Sequence, residues 1–177
     1  MLVITGTLFF FHFYQAKLYV LCALCGEFPY LCSVMEKFEL HILGCGSALP
    51  TTRHFATSQV VNVRDKLYMI DCGEGSQFRK SRLKFSRLNH IFISHLHGDH
   101  CFGLLGLIST LNLLGRTAEL HIHSPKGLEA LFVPMLSFFC RQMTYQVLFH
   151  EFETKEPGMI YEDRSLTVTT IPLRHRM

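Results

Sequence analysis

The chain has 177 residues, 49% of them apolar and 18% charged, with a formal net charge of +3. That composition excludes a disordered or low-complexity chain, and so small a net charge permits an anionic partner without demanding one. The apolar surplus is uneven, since residues 1–34 hold 24 apolar residues and only two charges, Lys17 and Glu27.

That first segment contains no run of about 18 uninterrupted apolar residues, which argues against a membrane span. No Lys or Arg precedes Lys17, as a signal peptide would require. The expectation is therefore a natural start at Met35, with residues 1–34 as spurious upstream sequence and residues 35–177 as the domain. A membrane anchor is the alternative. Seven cysteines in no framework spacing suit reduced thiols of a cytosolic protein. Cys22 and Cys25 form a single C-x-x-C, too little alone to mark zinc or redox chemistry.

Residues 37–43 alternate and predict a strand. Gly44, Gly46 and Pro50 mark a loop to about Ala56. Two strands, 59–63 and 66–71, are joined across Arg64-Asp65 at hairpin length. Asp71-Cys72-Gly73-Glu74-Gly75 breaks the second strand, and a short basic helix follows to about Leu83. Residues 90–94 form a compact buried strand. A Leu-rich helix spans 102–114 and stops at Gly115. Strand 119–123 precedes a helix from about Lys126 to Phe139, where Pro134 predicts a kink or two pieces. Strands near 144–152 and 165–171 close the sequence. Strands separated by helices predict an α/β layered domain with mixed sheets.

The chemistry is concentrated in His95-Leu96-His97-Gly98-Asp99-His100, directly after a buried strand. In extended chain, residues i and i+2 point the same way, so His95 and His97 can grip one ion. Gly98 permits a tight turn. Asp99 and His100 then open the next helix and face a second position. Imidazole with carboxylate suits zinc, and manganese or iron less well. Asp71, at a strand end, reads either as part of a glycine turn or as an outer partner that orients a histidine ligand. His175, between Arg174 and Arg176, is a further candidate ligand or a surface histidine. His12, His41, His54, His90, His121, His123 and His150 show no ligand-like partners, although His121 and His123 share a strand face, and they read as structural.

The stretches GCGSALPTTRH (44–54), DCGEGSQ (71–77), HLHGDHCFGLLGL (95–107), PKGL (125–128) and PLRH (172–175) occur in order across residues 37–177. Together they resemble the ribonuclease Z family of the metallo-β-lactamase superfamily. The resemblance implies a four-layer αβ/βα sandwich, with about its first half present. It implies two zinc ions, one held by His95, His97 and His175, the other by Asp99 and His100, with Asp99 also as general base. It places the loop near Pro50–His54, with Arg53 and His54, at the tRNA 3′ end, although Thr-Thr-Arg-His departs here from the Arg-Asn of many relatives. Arg174 and Arg176, with the basic run Arg79, Lys80, Arg82, Lys84 and Arg87, are candidate phosphate contacts.

The implied function is zinc-dependent removal of the 3′ trailer from precursor tRNA by a cytoplasmic homodimer. A membrane enters only if residues 1–34 are real. The family's second half supplies further metal ligands, a catalytic histidine and a tRNA-gripping arm. This chain is therefore expected to be a truncated portion, inactive alone. Two other readings stay open: a different hydrolase on the same scaffold, such as a small-molecule phosphodiesterase or thioesterase, and a non-catalytic binding remnant.

Overall fold

The computed structural model describes residues 2–5, 38–46, 49, 51, 54–79, 83–153 and 155–173. Cys22, Cys25 and Met35 lie outside them. Six strands form one sheet in strictly sequential order: β2 (Phe38–Gly44), β3 (Ser58–Val63), β4 (Lys66–Ile70), β5 (Leu88–Phe92), β6 (Leu120–Pro125) and β7 (Val147–Phe152). The pairings β2–β3 and β3–β4 are antiparallel, and those from β4 to β7 are parallel. The mixed sheet expected from the sequence is therefore present. Each parallel pairing needs a crossover, and the helices α1 (Gly98–Cys101), α2 (Gly103–Leu113) and α3 (Leu128–Phe139) supply two of them. A smaller sheet has the order β1 (Leu2–Thr5), β9 (Thr167–Thr170), β8 (Gly158–Glu162), all antiparallel.

Strand alternation sorts the core into two layers. On one face of the large sheet, Val60, Met69, Ile91, Ile93 and Ile122 pack against Leu104, Leu107, Ile108 and Leu111 of α2 and Leu128 and Phe132 of α3. On the other face, Val61, Val63, Tyr68 and Phe92 meet Leu166 and Val168 of the small sheet. The result is a helix–sheet–sheet sandwich. Tyr68 O–H and Lys66 Nζ both donate to Asp163 Oδ2, at 2.7 and 2.9 Å, and so tie β4 to the β8–β9 turn.

Some boundaries differ from expectation. β5 ends at Phe92, although the Ile93 N–H still donates to His123 O of β6 at 2.8 Å. Of the basic helix, the described residues show a 3-10 turn at Ser76–Arg79, and Lys80 and Arg82 lie outside them. α3 runs unbroken across Pro134. Pro134 and Ala130 are both exposed, so the Ala130 carbonyl that proline leaves without an N–H partner can face water. β8 was not predicted, because Gly158-Met-Ile-Tyr-Glu lacks a clean alternation of apolar and polar residues.

Candidate metal centre

β4 and β5 run parallel and end side by side, so the loops that leave them share one edge of the sheet. Asp71 follows β4 in a left-handed conformation, φ +56°, which Asp tolerates better than most residues. Its N–H donates to Phe92 O at 2.8 Å. Its buried carboxylate accepts the Ser94 N–H at 2.8 Å, the Ser94 hydroxyl at 2.9 Å and the His100 Nδ1–H at 2.8 Å. The Asp71 carboxylate thus meets the His100 ring, the contact that an outer partner orienting this imidazole would make.

Backbone contacts hold this edge in place. Cys72 N–H donates to His100 O at 2.7 Å, and Gly103 N–H donates to Cys72 O at 2.9 Å. A Cβ on Gly103 would stand 2.0 Å from Gly73 O, and one on Gly73 would stand 2.6 Å from Asp99 O. Both positions therefore require glycine. The sequence reading saw Gly73 as part of a turn and missed that Gly103, thirty residues on, meets it.

Groups able to ligate a metal come in pairs in this loop. His95 Nε2 and His97 Nδ1 are 3.1 Å apart. Asp99 Oδ2 and His100 Nε2 are 3.6 Å apart. Two donors on one zinc at its usual bond lengths stand about 3.3 Å apart in a tetrahedral site, so the first pair meets that spacing and the second lies close to it. All four side chains are half-buried, as ligands open to substrate need to be. Among the described residues, no three His, Cys, Asp or Glu groups converge on one point. His175, the third ligand implied for the first ion, lies outside the described residues, as do Arg53, Arg174 and Arg176. The residues present fit a divalent ion as two donor pairs. Burial raises the Cys72 thiol to about 12 and the Cys101 thiol to about 11, so neither offers a thiolate at neutral pH.

A scan against family models matches residues 38–175 to the family described as anti-Pycsar protein Apyc1. This chain belongs to that family. Ribonuclease Z of Bacteroides thetaiotaomicron is 82% identical over 145 residues, which cover 81% of this chain and 46% of that protein. The chain thus spans about half the length of the curated relatives it matches. Human tRNase Z, short form, has a similar structure, with TM-score 0.64 and 25% identity, covering 73% of this chain and 62% of that one. A metallo-β-lactamase fold protein of Bacillus subtilis, YhfI, shares the fold at TM-score 0.51 and 16% identity, covering 68% of this chain and 48% of that one. The metallo-β-lactamase fold and the ribonuclease Z resemblance both stand, and the fold implies use of a divalent metal.

Within the family's scaffold the other candidates are dispersed. His54 is exposed in the loop after Gly46, where its N–H donates to Thr51 Oγ1 at 3.0 Å, and no bond joins it to the motif among the described residues. Arg87 pairs with Asp65 at 3.4 Å, and the Arg79 guanidinium lies over the Phe55 ring. The histidines read as structural are not isolated. His90, His121, His123 and His150 stack on the inner face of β5, β6 and β7. His121 Nδ1 lies 3.0 Å from His150 Nε2, and His90 Nδ1 lies 3.3 Å from His123 Nε2. Tyr161 O–H approaches His90 Nε2 at 3.2 Å. The shared strand face of His121 and His123 was the one trace of this stack in the sequence. Only the register of three parallel strands brings His90 and His150 to it.

Proposed function

We propose that this chain carries the metal-binding half of a zinc-dependent endoribonuclease that removes the 3′ trailer from precursor tRNA. The observation that carries this reading is the pair of donor sets at one sheet edge, in a chain 82% identical over 145 residues to a ribonuclease Z. His95 and His97 would hold one ion and Asp99 with His100 the other. Bound zinc supplies Lewis acidity, which neutralises charge on phosphate oxygens and lets water attack at neutral pH.

The chain's own residues do the rest. Asp71 holds the His100 Nδ1–H, which leaves Nε2 free toward the ion. Asp99 would take the proton from the attacking water, as general base. Water oxygen bonds to phosphorus, the P–O3′ bond breaks, and the departing O3′ takes up a proton from solvent to become the 3′-hydroxyl of the tRNA. Folded RNA is read mainly through shape and backbone charge, so binding would weaken with salt. Exposed Lys84 would contribute to that charge. The assembly would be a cytoplasmic homodimer.

A segment exchange tests the reading. Residues 38–173 replace the matching segment of the Bacteroides thetaiotaomicron ribonuclease Z. The chimera is expected to cut precursor tRNA at its 3′ trailer, and His97→Ala in it to abolish cutting. The 177-residue chain alone is expected to leave the RNA intact. A chimera that folds and binds zinc without cutting would refute the proposal. The alternative reading is a phosphodiesterase for small substrates on the same scaffold. Cleavage of bis(p-nitrophenyl) phosphate without cleavage of precursor tRNA would favour that reading.

A further inference from the structure

We infer that the Phe102 ring is a stacking platform for a nucleobase beside the scissile phosphate. The inference rests on the RNA-cleaving reading of this chain and adds the residue that would hold the base.

Phe102 joins α1 to α2 in a helical conformation, φ −63° and ψ −22°, soon after Asp99 and His100. Its N–H donates to Gly98 O at 2.8 Å, so Gly98 and Phe102 stand one helical turn apart on the same face. A helical side chain leans back over the turn that precedes it. The Phe102 ring does so, since a Cβ on Gly98 would stand 2.2 Å from its Cε2 and 2.3 Å from its Cζ. The ring therefore lies on bare backbone inside the metal-binding motif, and glycine at position 98 leaves the room for it.

Such a contact would be ordinary packing in a core, but Phe102 is 70% exposed. Exposure alone does not single it out, since Phe78 and Phe139 are exposed as well. Place does, because of these three only Phe102 lies within a helical turn of Asp99 and His100. The side chain has no charge and no hydrogen-bonding group, so it cannot hold a phosphate. It offers a flat apolar surface, and the flat apolar part of RNA is the base. A base stacked there would bring its own phosphate toward the pairs His95–His97 and Asp99–His100. It would do so without reading sequence, since every base has a π-face.

The first test uses the segment-exchange chimera and precursor tRNA. Phe102→Ala is expected to raise KM about 10-fold with kcat nearly unchanged, as the loss of one base–aromatic stack predicts. Phe102→Tyr keeps a ring and is expected to restore KM. Phe102→Leu keeps apolar bulk without a ring and is expected not to. An unchanged KM in Phe102→Ala, or rescue by Leu as full as by Tyr, overturns the proposal. The second test needs no cleavage. The chain has no tryptophan, so Phe102→Trp in the 177-residue chain carries a single indole. A short single-stranded RNA is expected to quench its fluorescence, and the same backbone with abasic sites throughout is expected not to. Equal quenching by both, or by neither, overturns the proposal. Base-dependent quenching beside a wild-type chimera that leaves precursor tRNA uncut would refute the nuclease reading and keep the stacking platform.

Discussion

Two groups of imidazoles sit on the same sheet, and they are prepared for opposite uses. In the loop after β5, Ser94 Oγ lies 3.1 Å from His95 Nδ1, and the Asp71 carboxylate accepts the His100 Nδ1–H. On one face of β5–β7, His90, His121, His123 and His150 stack ring against ring and meet nitrogen to nitrogen in two pairs, while His123 Nδ1 is buried with no hydrogen-bond partner among the described residues. Burial and neighbouring imidazoles lower His90 to about 4 and His123 to about 3, so both are neutral at pH 7. A His-x-His spacing occurs in both groups, at 95/97 and at 121/123. What separates them is the outer partner. In the first group the buried Asp71 carboxylate takes the His100 Nδ1–H, and in the second the imidazoles chiefly meet one another.

The largest effect should come from removing the framework of the first group while leaving the second alone. Gly103→Ala places a Cβ 2.0 Å from Gly73 O, and an overpacked backbone contact of this kind costs about 3 kcal/mol or more. Chemical denaturation is expected to show that loss. A near-native midpoint would mean that the α2 junction is far more pliable than the contact implies.

Next, His95→Ala is expected to weaken zinc binding by at least ~100-fold, the upper end of what loss of an outer partner alone costs. His121→Ala should leave zinc affinity within about twofold. Equal losses in the two variants would erase the distinction between the groups.

Acid tests the second group. His90 and His123 titrate lower in the folded chain than their ordinary 6.5, so the unfolded chain takes up protons first as pH falls. Their contribution is fully present above about pH 6.5 and drains away as pH drops toward 4 and then 3. The limiting slope is about 1.4 kcal/mol per pH unit for each proton. His90→Phe is expected to flatten the profile of stability between pH 6.5 and 4, and an unflattened profile would place the acid sensitivity elsewhere. The smallest effect belongs to His150→Gln, an exposed position expected to change stability by no more than about 0.5 kcal/mol.

Much of this was legible in the sequence, for identifiable reasons. The hairpin across Arg64-Asp65 follows from two apolar runs at hairpin separation, and both turn residues adopt positive φ. His95, His97, Asp99 and His100 lie within six residues, so local spacing alone groups them. Asp71 could be suspected because a strand ends there. Ser94 and the four-imidazole stack were not legible, because they depend on which strand lies beside which. His90 reaches His123 only through the parallel β5–β6 register, and Ser94 reaches Asp71 only because β4 and β5 end together. Gly103 was hidden for the same reason, since its constraint is a backbone carbonyl thirty residues away.

The strand order of the large sheet carries a kinetic consequence. Every pairing from β2 to β7 joins strands that follow one another in the chain, so each closes a short or moderate loop. The small sheet instead pairs Leu2–Thr5 with Thr167–Thr170, close to the longest closure the chain permits. Loop-closure entropy rises with separation, so the large sheet should gain protection first in pulse-labelled hydrogen exchange, and the β1–β9 pairing last. The edge that presents His95 to His100 is then set before the ends of the chain find each other.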